Sequence, residues 1–481
     1  MFPGMESSFN ILPMKAVFIL ITLFFGQNLL AQPFNGLSEA IESGNYGDLK
    51  AVVISRHGEI IYEDYFRNTQ RYDLQQVFSV TKSVGSALIG IAHRQGIIQL
   101  EQGLGDFFNE LYPMTQPAFR DKRFITVEAV LQQRLGIEWD EWTIPYDSPA
   151  NPLHQAENSG DWYRYVLTRP TDAQPGEKFA YNTMASTLMS RMIRYSSGLS
   201  PRVFAIQELF GPLGIQNIHW ELFNNQGMGH GLTDWPNPDD DEPLGYGLWL
   251  KPLDMVTFGE LYLNGGVHNG RRILDKAWID ASWKIYSQFD YPGYGYGYQW
   301  WINRTTDNRG RTWKQYYAVG WAHQYILVYP ELDMVVASVA DDFNYDGPGI
   351  GALLRLYVLP ELNPRLDRRF TGAWYDPEND GQGFTLEIIE DGNRLIAFWY
   401  TYGENQSKRW FTMDGPIDAG EADVSIIQTS GGSFLQPDPV ERREWGTGHY
   451  SAIDCNHINF EINSEEIITT VMLTRLTGSC D

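Results

Sequence analysis

Apolar and polar positions fall into three textures along the chain. Residues 15–31 open with Lys15, continue through the apolar run Ala16-Val-Phe-Ile-Leu-Ile-Thr-Leu-Phe-Phe25 and, after a polar break, end at Leu29-Leu-Ala31. A charge, a short apolar run and a small residue form the pattern of an export signal. The run is too short for the roughly 20 residues that a membrane span requires. The reading is a signal peptide over residues 1–31 cleaved after Ala31, because cutting after Gln32 would put Pro33 at the scissile bond. Met14, directly ahead of Lys15, is a second candidate start. The mature chain is expected in the periplasm or secreted, with no stable membrane span.

The second texture mixes periods. Ala51-Val-Val-Ile-Ser-Arg-His57 and Glu59-Ile-Ile-Tyr-Glu-Asp-Tyr-Phe66 read as two strands of a hairpin joined at His57-Gly58. From residue 79 to about 95, Val84, Ala87, Leu88 and Ile91 recur at helical spacing, which predicts a largely buried helix. Helical stretches then alternate with Pro- and Gly-rich loops as far as Pro252, among them Asn237-Pro-Asp-Asp-Asp-Glu-Pro243, expected to be a solvated acidic loop. Two strands flank the turn Pro330-Glu-Leu-Asp333, and residues 353–358 read as a closing helix. Residues 36–360 are therefore expected to form a mixed α/β (α+β) body.

The third texture begins after Pro364. Gly372-Ala-Trp-Tyr-Asp-Pro377, Gly381-Gln-Gly-Phe-Thr-Leu-Glu-Ile-Ile389 and Leu395-Ile-Ala-Phe-Trp-Tyr-Thr-Tyr402 are short aromatic strands between Gly, Asp and Asn turns. Residues 365–481 are expected to be a separate all-β domain.

With 36 basic and 60 acidic side chains the chain carries a formal charge of −24, which leaves no basic face for nucleic acid. In an exported chain the only two cysteines, Cys455 and Cys480, are expected to form a disulfide rather than a metal site. No CxxC or HExxH occurs, so no metal or other cofactor is expected.

Candidate chemistry starts at Ser79-Val-Thr-Lys82, at the head of the first long helix. Residues i and i+3 share a helix face, so the hydroxyl and the amine come within reach of one another. The helix N-terminus adds unpaired N–H groups where an oxyanion would form. A desolvated Lys loses its proton near neutral pH and activates the Ser. Alone, the tetrapeptide also fits a capping Ser with a surface Lys. The segment Pro175-Gly-Glu-Lys-Phe-Ala-Tyr-Asn-Thr183 adds a turn, a short strand and a polar tip ahead of a helical run over residues 185–195.

With these two segments the chain resembles the serine β-lactamase-like hydrolases: class C β-lactamases, DD-peptidases and related esterases. That family pairs SxxK with a Tyr-x-Asn motif, here Tyr181-Asn182-Thr183. Ile125-Thr-Val-Glu-Ala-Val-Leu131, Gly245-Tyr-Gly-Leu-Trp-Leu-Lys-Pro-Leu-Asp-Met255 and Gly320-Trp-Ala-His-Gln-Tyr325 match it in order, and no GxSxG elbow occurs. The resemblance implies an antiparallel sheet flanked by helices. It implies Ser79 as nucleophile, Lys82 as the group that holds or takes its proton, and Tyr181 as general base and later acid. It also places the backbone N–H groups of Ser79 and Trp321 in an oxyanion hole, with Gly320 beside them and Thr183 as a substrate contact.

Two departures bear on substrate. The family's third motif reads Lys-Thr-Gly or His-Thr-Gly and meets a substrate carboxylate; here it is Ala318-Val-Gly320. Thr183 stands where relatives carry Asn. His323, where relatives often carry Gly, reads as a rim or packing residue. The expected activity is hydrolysis of a neutral carboxylic ester or small amide through an acyl-enzyme on Ser79. The alternative enzyme reading is a β-lactamase or D-alanyl-D-alanine carboxypeptidase. A reading of another class is a non-catalytic protein that binds cell-wall glycan through the tail, where Trp374, Tyr375, Trp399, Tyr400, Tyr402 and Trp410 fit a sugar-stacking face or an alternating strand core. The tail resembles an accessory module attached to diverse exported bacterial proteins. Intact Ser79, Lys82 and Tyr181 argue against a pure binder.

Overall fold

The structure, a computed structural model, describes residues 34–477 apart from 147, 223–240, 309, 311, 344–346, 363–365, 390–391, 404–405, 419, 434–435 and 455. The signal-peptide reading and both cysteines of the expected disulfide lie outside the described residues.

The body is built on one antiparallel sheet. Its strands are β1 (Leu49–Arg56), β2 (Glu59–Tyr65), β3 (Ser287–Gln288), β4 (Gly295–Tyr296), β5 (Trp301–Thr306), β6 (Thr312–Gly320), β7 (Gln324–Tyr329) and β8 (Met334–Ala340). Their order across the sheet is β2-β1-β8-β7-β6-β5-β4-β3, so β1 from the start of the body pairs directly with β8 from its end. The central strands are apolar at nearly every position because both faces are covered. Ala51, Val53, Ile326, Val335 and Ala337 face a large core with three helices, α1 (Val80–Arg94), α2 (Thr183–Ser197) and α3 (Pro252–Leu263). Val52, Ile54, Leu327 and Val336 face the opposite way, onto the helix Leu37–Glu42 and the closing helical segment of Gly349–Leu353, Leu354–Val358 and Leu359–Leu362. Period-2 alternation thus splits one strand between two cores.

The all-β tail is a closed barrel. Its strands are β9 (Gly372–Tyr375), β10 (Gly383–Ile389), β11 (Arg394–Tyr402), β12 (Lys408–Asp418), β13 (Glu421–Ser433), β14 (Gln436–Asp454), β15 (His457–Ser464) and β16 (Ile468–Arg475). Each pairs with the next, and β9 returns to β16 through Trp374 and Arg475. Closure leaves no edge strand to be covered. Of the six tail aromatics, Trp374 lies in the barrel core and Trp399 packs against it, Tyr375 is half-buried, and Tyr400, Tyr402 and Trp410 are exposed. The strand-core reading holds for the first two only.

The acidic loop departs from expectation. Asp241 and Glu242 are buried rather than solvated. Arg194 on α2 pairs with Asp241, the Tyr163 hydroxyl donates to the same carboxylate, and the Arg202 N–H donates to Glu242. Partners on other helices give these carboxylates the hydrogen bonds that water would otherwise supply. Residues 237–240 lie outside the described residues.

Candidate active site

Ser79 immediately precedes α1, the position at which a Ser hydroxyl usually caps a helix by accepting from a backbone N–H two or three residues on. Here the hydroxyl makes no such bond. It faces Lys82, whose Nζ donates to Ser79 Oγ at 2.8 Å. Phe78, directly before Ser79, holds a left-handed φ of 44°, a strained conformation of the kind that clusters at functional sites. The reading of Lys82 as a surface residue is excluded, because the side chain is 1% exposed. Its other two contacts are Gly245 O at 2.8 Å and Thr183 Oγ1 at 3.1 Å. Gly245 has to be Gly, since a Cβ there would sit 2.4 Å from Thr183 O and 2.6 Å from Thr187 Oγ1. Burial pulls the Lys82 amine down from 10.5 to about 7, with the carboxylate of Glu141 acting in the opposite direction.

Tyr181, Asn182 and Thr183 lead into α2. Asn182 caps that helix, its Oδ1 accepting from Ala185 N–H at 2.8 Å, and its own N–H donates to Gln133 Oε1 at 2.8 Å. The Tyr181 ring stacks against exposed Trp142 (centroids 5.0 Å apart) and against Trp301 (5.8 Å). Lys82 Nζ lies 5.0 Å from the ring centroid. Burial and then the Glu141 charge hold the Tyr181 phenol well above its ordinary range, while a hydrogen bond with Ser79 works the other way. At neutral pH Tyr181 is therefore a protonated phenol, a proton donor rather than a resting base.

Thr183 corrects an expectation. It is buried, and its hydroxyl and N–H both point to one carboxylate, Oγ1 donating to Glu141 Oε1 at 2.7 Å and N–H to Oε2 at 2.9 Å. It therefore connects Lys82 to Glu141 instead of lining the substrate space. Glu141 was not singled out in the sequence. It also accepts from Trp139 Nε1 (2.8 Å) and the Tyr146 hydroxyl (3.3 Å). Asn151 ties down its loop by donating to the carbonyls of Glu141 (3.2 Å) and Ile144 (2.7 Å).

Gly320 ends β6 against the segment that precedes Ser79, and a Cβ on it would lie 2.2 Å from Val77 O. That close approach brings Trp321 to the head of α1, where its ring meets Phe78 (5.7 Å) and Phe343 (5.0 Å) edge-on. Among the described residues the N–H groups of Ser79 and Trp321 have no acceptor. Ala318 is buried within β6, and Val319 packs with Tyr181, Tyr296 and Trp301, so the third motif offers only apolar side chains. His323 lies beside Gly349 and meets the Tyr325 ring at 6.3 Å.

A family model described as Beta-lactamase matches residues 49–356. A 6-aminohexanoate-dimer hydrolase of Paenarthrobacter ureafaciens is 21% identical over 329 residues, 63% of this chain and 76% of the relative. Among solved structures, a Bacillus anthracis protein assigned as a 6-aminohexanoate-dimer hydrolase aligns with TM-score 0.52 and 19% identity, over 66% of this chain and 78% of that one. An octameric penicillin-binding protein homologue from Pyrococcus abyssi aligns with TM-score 0.49 and 16% identity, over 91% of this chain and 98% of that one.

Proposed function

The chain belongs to the beta-lactamase family, a family of hydrolases, and on that premise we propose that it is a serine hydrolase cleaving neutral carboxylic esters or small amides through an acyl-enzyme on Ser79. The observation that carries this reading is the buried Lys82 amine, 2.8 Å from Ser79 Oγ and pulled to about 7. A neutral amine at that place takes the Ser79 proton as Oγ attacks the substrate carbonyl carbon. The carbonyl oxygen gains charge and is met by the N–H groups of Ser79 and Trp321. As the bond to the leaving group breaks, the Tyr181 phenol gives that group a proton, and the Lys82 ammonium returns one to Tyr181. Water then attacks the acyl carbon, its proton goes to Lys82, and Ser79 leaves with a proton regained. The sum is ester or amide plus water giving acid plus alcohol or amine.

Substrate neutrality rests on the third motif. A substrate carboxylate placed against Ala318 and Val319 loses water without gaining a partner there, at a cost of several kcal/mol. The mouth instead presents exposed aromatic surface at Trp142, Trp321 and Phe343, suited to an apolar acyl or leaving group. The relative named a 6-aminohexanoate-dimer hydrolase supports the small amide as second substrate class, since two amino-acid units condense through an amide. The leader pattern at residues 15–31 supports placing this activity outside the cytoplasm.

A fluorophosphonate probe should label Ser79, and short-chain p-nitrophenyl esters should exceed nitrocefin in kcat/KM by roughly 10² or more, as each 1.4 kcal/mol is tenfold. Efficient nitrocefin hydrolysis would move the reading to a β-lactamase.

A further inference from the structure

We propose that Glu141 is a positioning residue for the Ser79–Lys82 pair: by committing the Thr183 hydroxyl hydrogen to itself, it leaves Lys82 one free valence, aimed at Ser79. This rests on the hydrolase reading and adds a residue to it. Nζ has three positions for a hydrogen or a lone pair, and three neighbours at 2.8, 2.8 and 3.1 Å occupy them: Ser79 Oγ, Gly245 O and Thr183 Oγ1. A carbonyl oxygen only accepts, so one N–H always goes to Gly245. A hydroxyl can turn, and its single hydrogen could go to Glu141 or to Nζ. The geometry gives it to Glu141, at 2.7 Å. Thr183 Oγ1 therefore accepts from Nζ and takes the second N–H. In the neutral amine the lone pair is left facing Ser79, whose hydroxyl then donates to it. Were the Thr183 hydroxyl to turn, its hydrogen would occupy the lone pair and the base would be spent on the wrong partner.

Glu141 suits this task because four donors converge on its two oxygens, from Thr183 N–H, Thr183 Oγ1, Trp139 Nε1 and the Tyr146 hydroxyl. Such convergence fits an acceptor-only carboxylate and not an amide. Where the resemblance expects an Asn, whose donor and acceptor are fixed within one planar amide, this chain carries a rotor, and Glu141 supplies the missing constraint. The titratable groups facing Lys82 are Glu141 and Tyr181, and Tyr146, Tyr296, Glu157 and Tyr246 are coupled to Glu141 in turn. Of these, Glu141 is the carboxylate that acts on Lys82, holding the amine higher than burial alone would.

The test is a pH–rate profile on a p-nitrophenyl ester for the full chain and for Glu141→Gln, Thr183→Val and the double variant, with a 15N NMR titration of Lys82 Nζ beside it. Lys82 must be neutral to act, so wild-type kcat rises with pH through about 7. In Glu141→Gln that limb and the Nζ midpoint should move to lower pH by about one unit, the scale for losing one nearby opposite charge. kcat should fall roughly 10- to 100-fold, with KM within about twofold. Thr183→Val, nearly the same shape, should lose a similar factor, and Thr183→Ser should restore most of it. The double variant should be no slower than the worse single one, because both changes break one path. Additive losses, or a wild-type limb and midpoint in Glu141→Gln, would overturn the proposal. If the wild type neither hydrolyses esters nor reacts with fluorophosphonate, the hydrolase reading fails, and the Nζ titration still decides whether Glu141 sets the state of Lys82.

Discussion

In the body, Lys82, Glu141, Asn182 and Thr183 are buried beside one another, each less than a twentieth exposed. In the barrel the core holds Trp374, Tyr450 and Phe460, and the ion pairs Arg394–Asp414 and Arg409–Glu466 keep their carboxylates at the surface. Both regions are built on antiparallel strands. They differ in what they hold away from water. Burying an amine and a carboxylate stabilises little and costs desolvation that only a full set of partners offsets. The body sustains that arrangement at the head of α1, where the proposed mechanism moves a proton at neutral pH, whereas the barrel core is apolar. A desolvated amine and a desolvated carboxylate, Lys82 and Glu141, each held by hydrogen-bond partners, therefore mark the candidate site off from the scaffold.

Removing the Ser79 hydroxyl is the strongest way to break this contrast. Ser79→Ala should abolish fluorophosphonate labelling and lower kcat by on the order of 10⁴ or more, with the far-ultraviolet circular dichroism unchanged, since the hydroxyl does not cap the helix. Full labelling of the variant at another serine would remove Ser79 from the role.

The matching change in the barrel should act on stability alone. Phe460 is fully buried and stacks on Tyr450 at 4.1 Å. Phe460→Ala should cost about 3–5 kcal/mol, the range for a buried aromatic. A thermal scan should show a barrel transition at lower temperature, while ester hydrolysis at 25 °C stays at the wild-type rate. Loss of hydrolysis in step with barrel unfolding would show that the two regions are coupled.

How much of this the sequence reveals depends on the distance over which each feature is encoded. Ser79 and Lys82 are one helical turn apart, so their proximity follows from the period of α1. Tyr181 is legible because a turn, a strand and a helix start follow in one short phrase. Glu141 is not, since its 42-residue separation from Thr183 is closed only when the loop pinned by Asn151 folds onto α2. Gly245 contributes a carbonyl, which no side-chain pattern can announce. Asp241 and Glu242 looked solvated because their partners, Arg194 and Arg202, lie tens of residues away. In the tail, alternation predicts strands, but the closing pair of β9 and β16 joins residues 101 positions apart, Trp374 and Arg475.

The next effect sharpens the electrostatic side of the contrast. An unfolded Lys keeps its proton up to about 10.4, whereas folded Lys82 releases it at about 7. Between those values the unfolded chain binds more protons, so the Lys82 contribution to stability rises with pH there and is flat below about 7. Lys82→Met lacks that dependence. From pH 7 to 9 the wild type should therefore gain about 2 kcal/mol relative to Lys82→Met in urea unfolding, the slope approaching 1.36 kcal/mol per pH unit only above pH 7. Parallel pH curves would mean that the amine is not desolvated as described. The same variant should lose roughly 10² or more in kcat.

The smallest effect is expected from removing the barrel altogether. Ser79, Lys82, Glu141, Tyr181, Thr183, Gly245 and Trp321 all precede residue 364. The apolar contacts divide at the same place: Leu362 belongs to the cluster of β1, β7, β8 and the closing helical segment, and Leu366 to the barrel core. No residue is shared between those clusters, so each part keeps its own apolar core when the other is absent, as a domain that folds alone requires. The body meets the barrel at Arg56, buried at the end of β1, which lines a cleft with Ser451, Ala452 and Asn459 of the barrel and donates to the carbonyls of Leu332 and Leu362. Both acceptors stay with the body. A chain ending at residue 364 should hydrolyse p-nitrophenyl esters with kcat and KM each within about twofold of the full chain, as expected when no group that touches the reacting atoms is lost. A rise in KM with kcat unchanged would give the barrel a part in holding substrate. A fall in kcat with an intact body by circular dichroism would place barrel residues in the cleft.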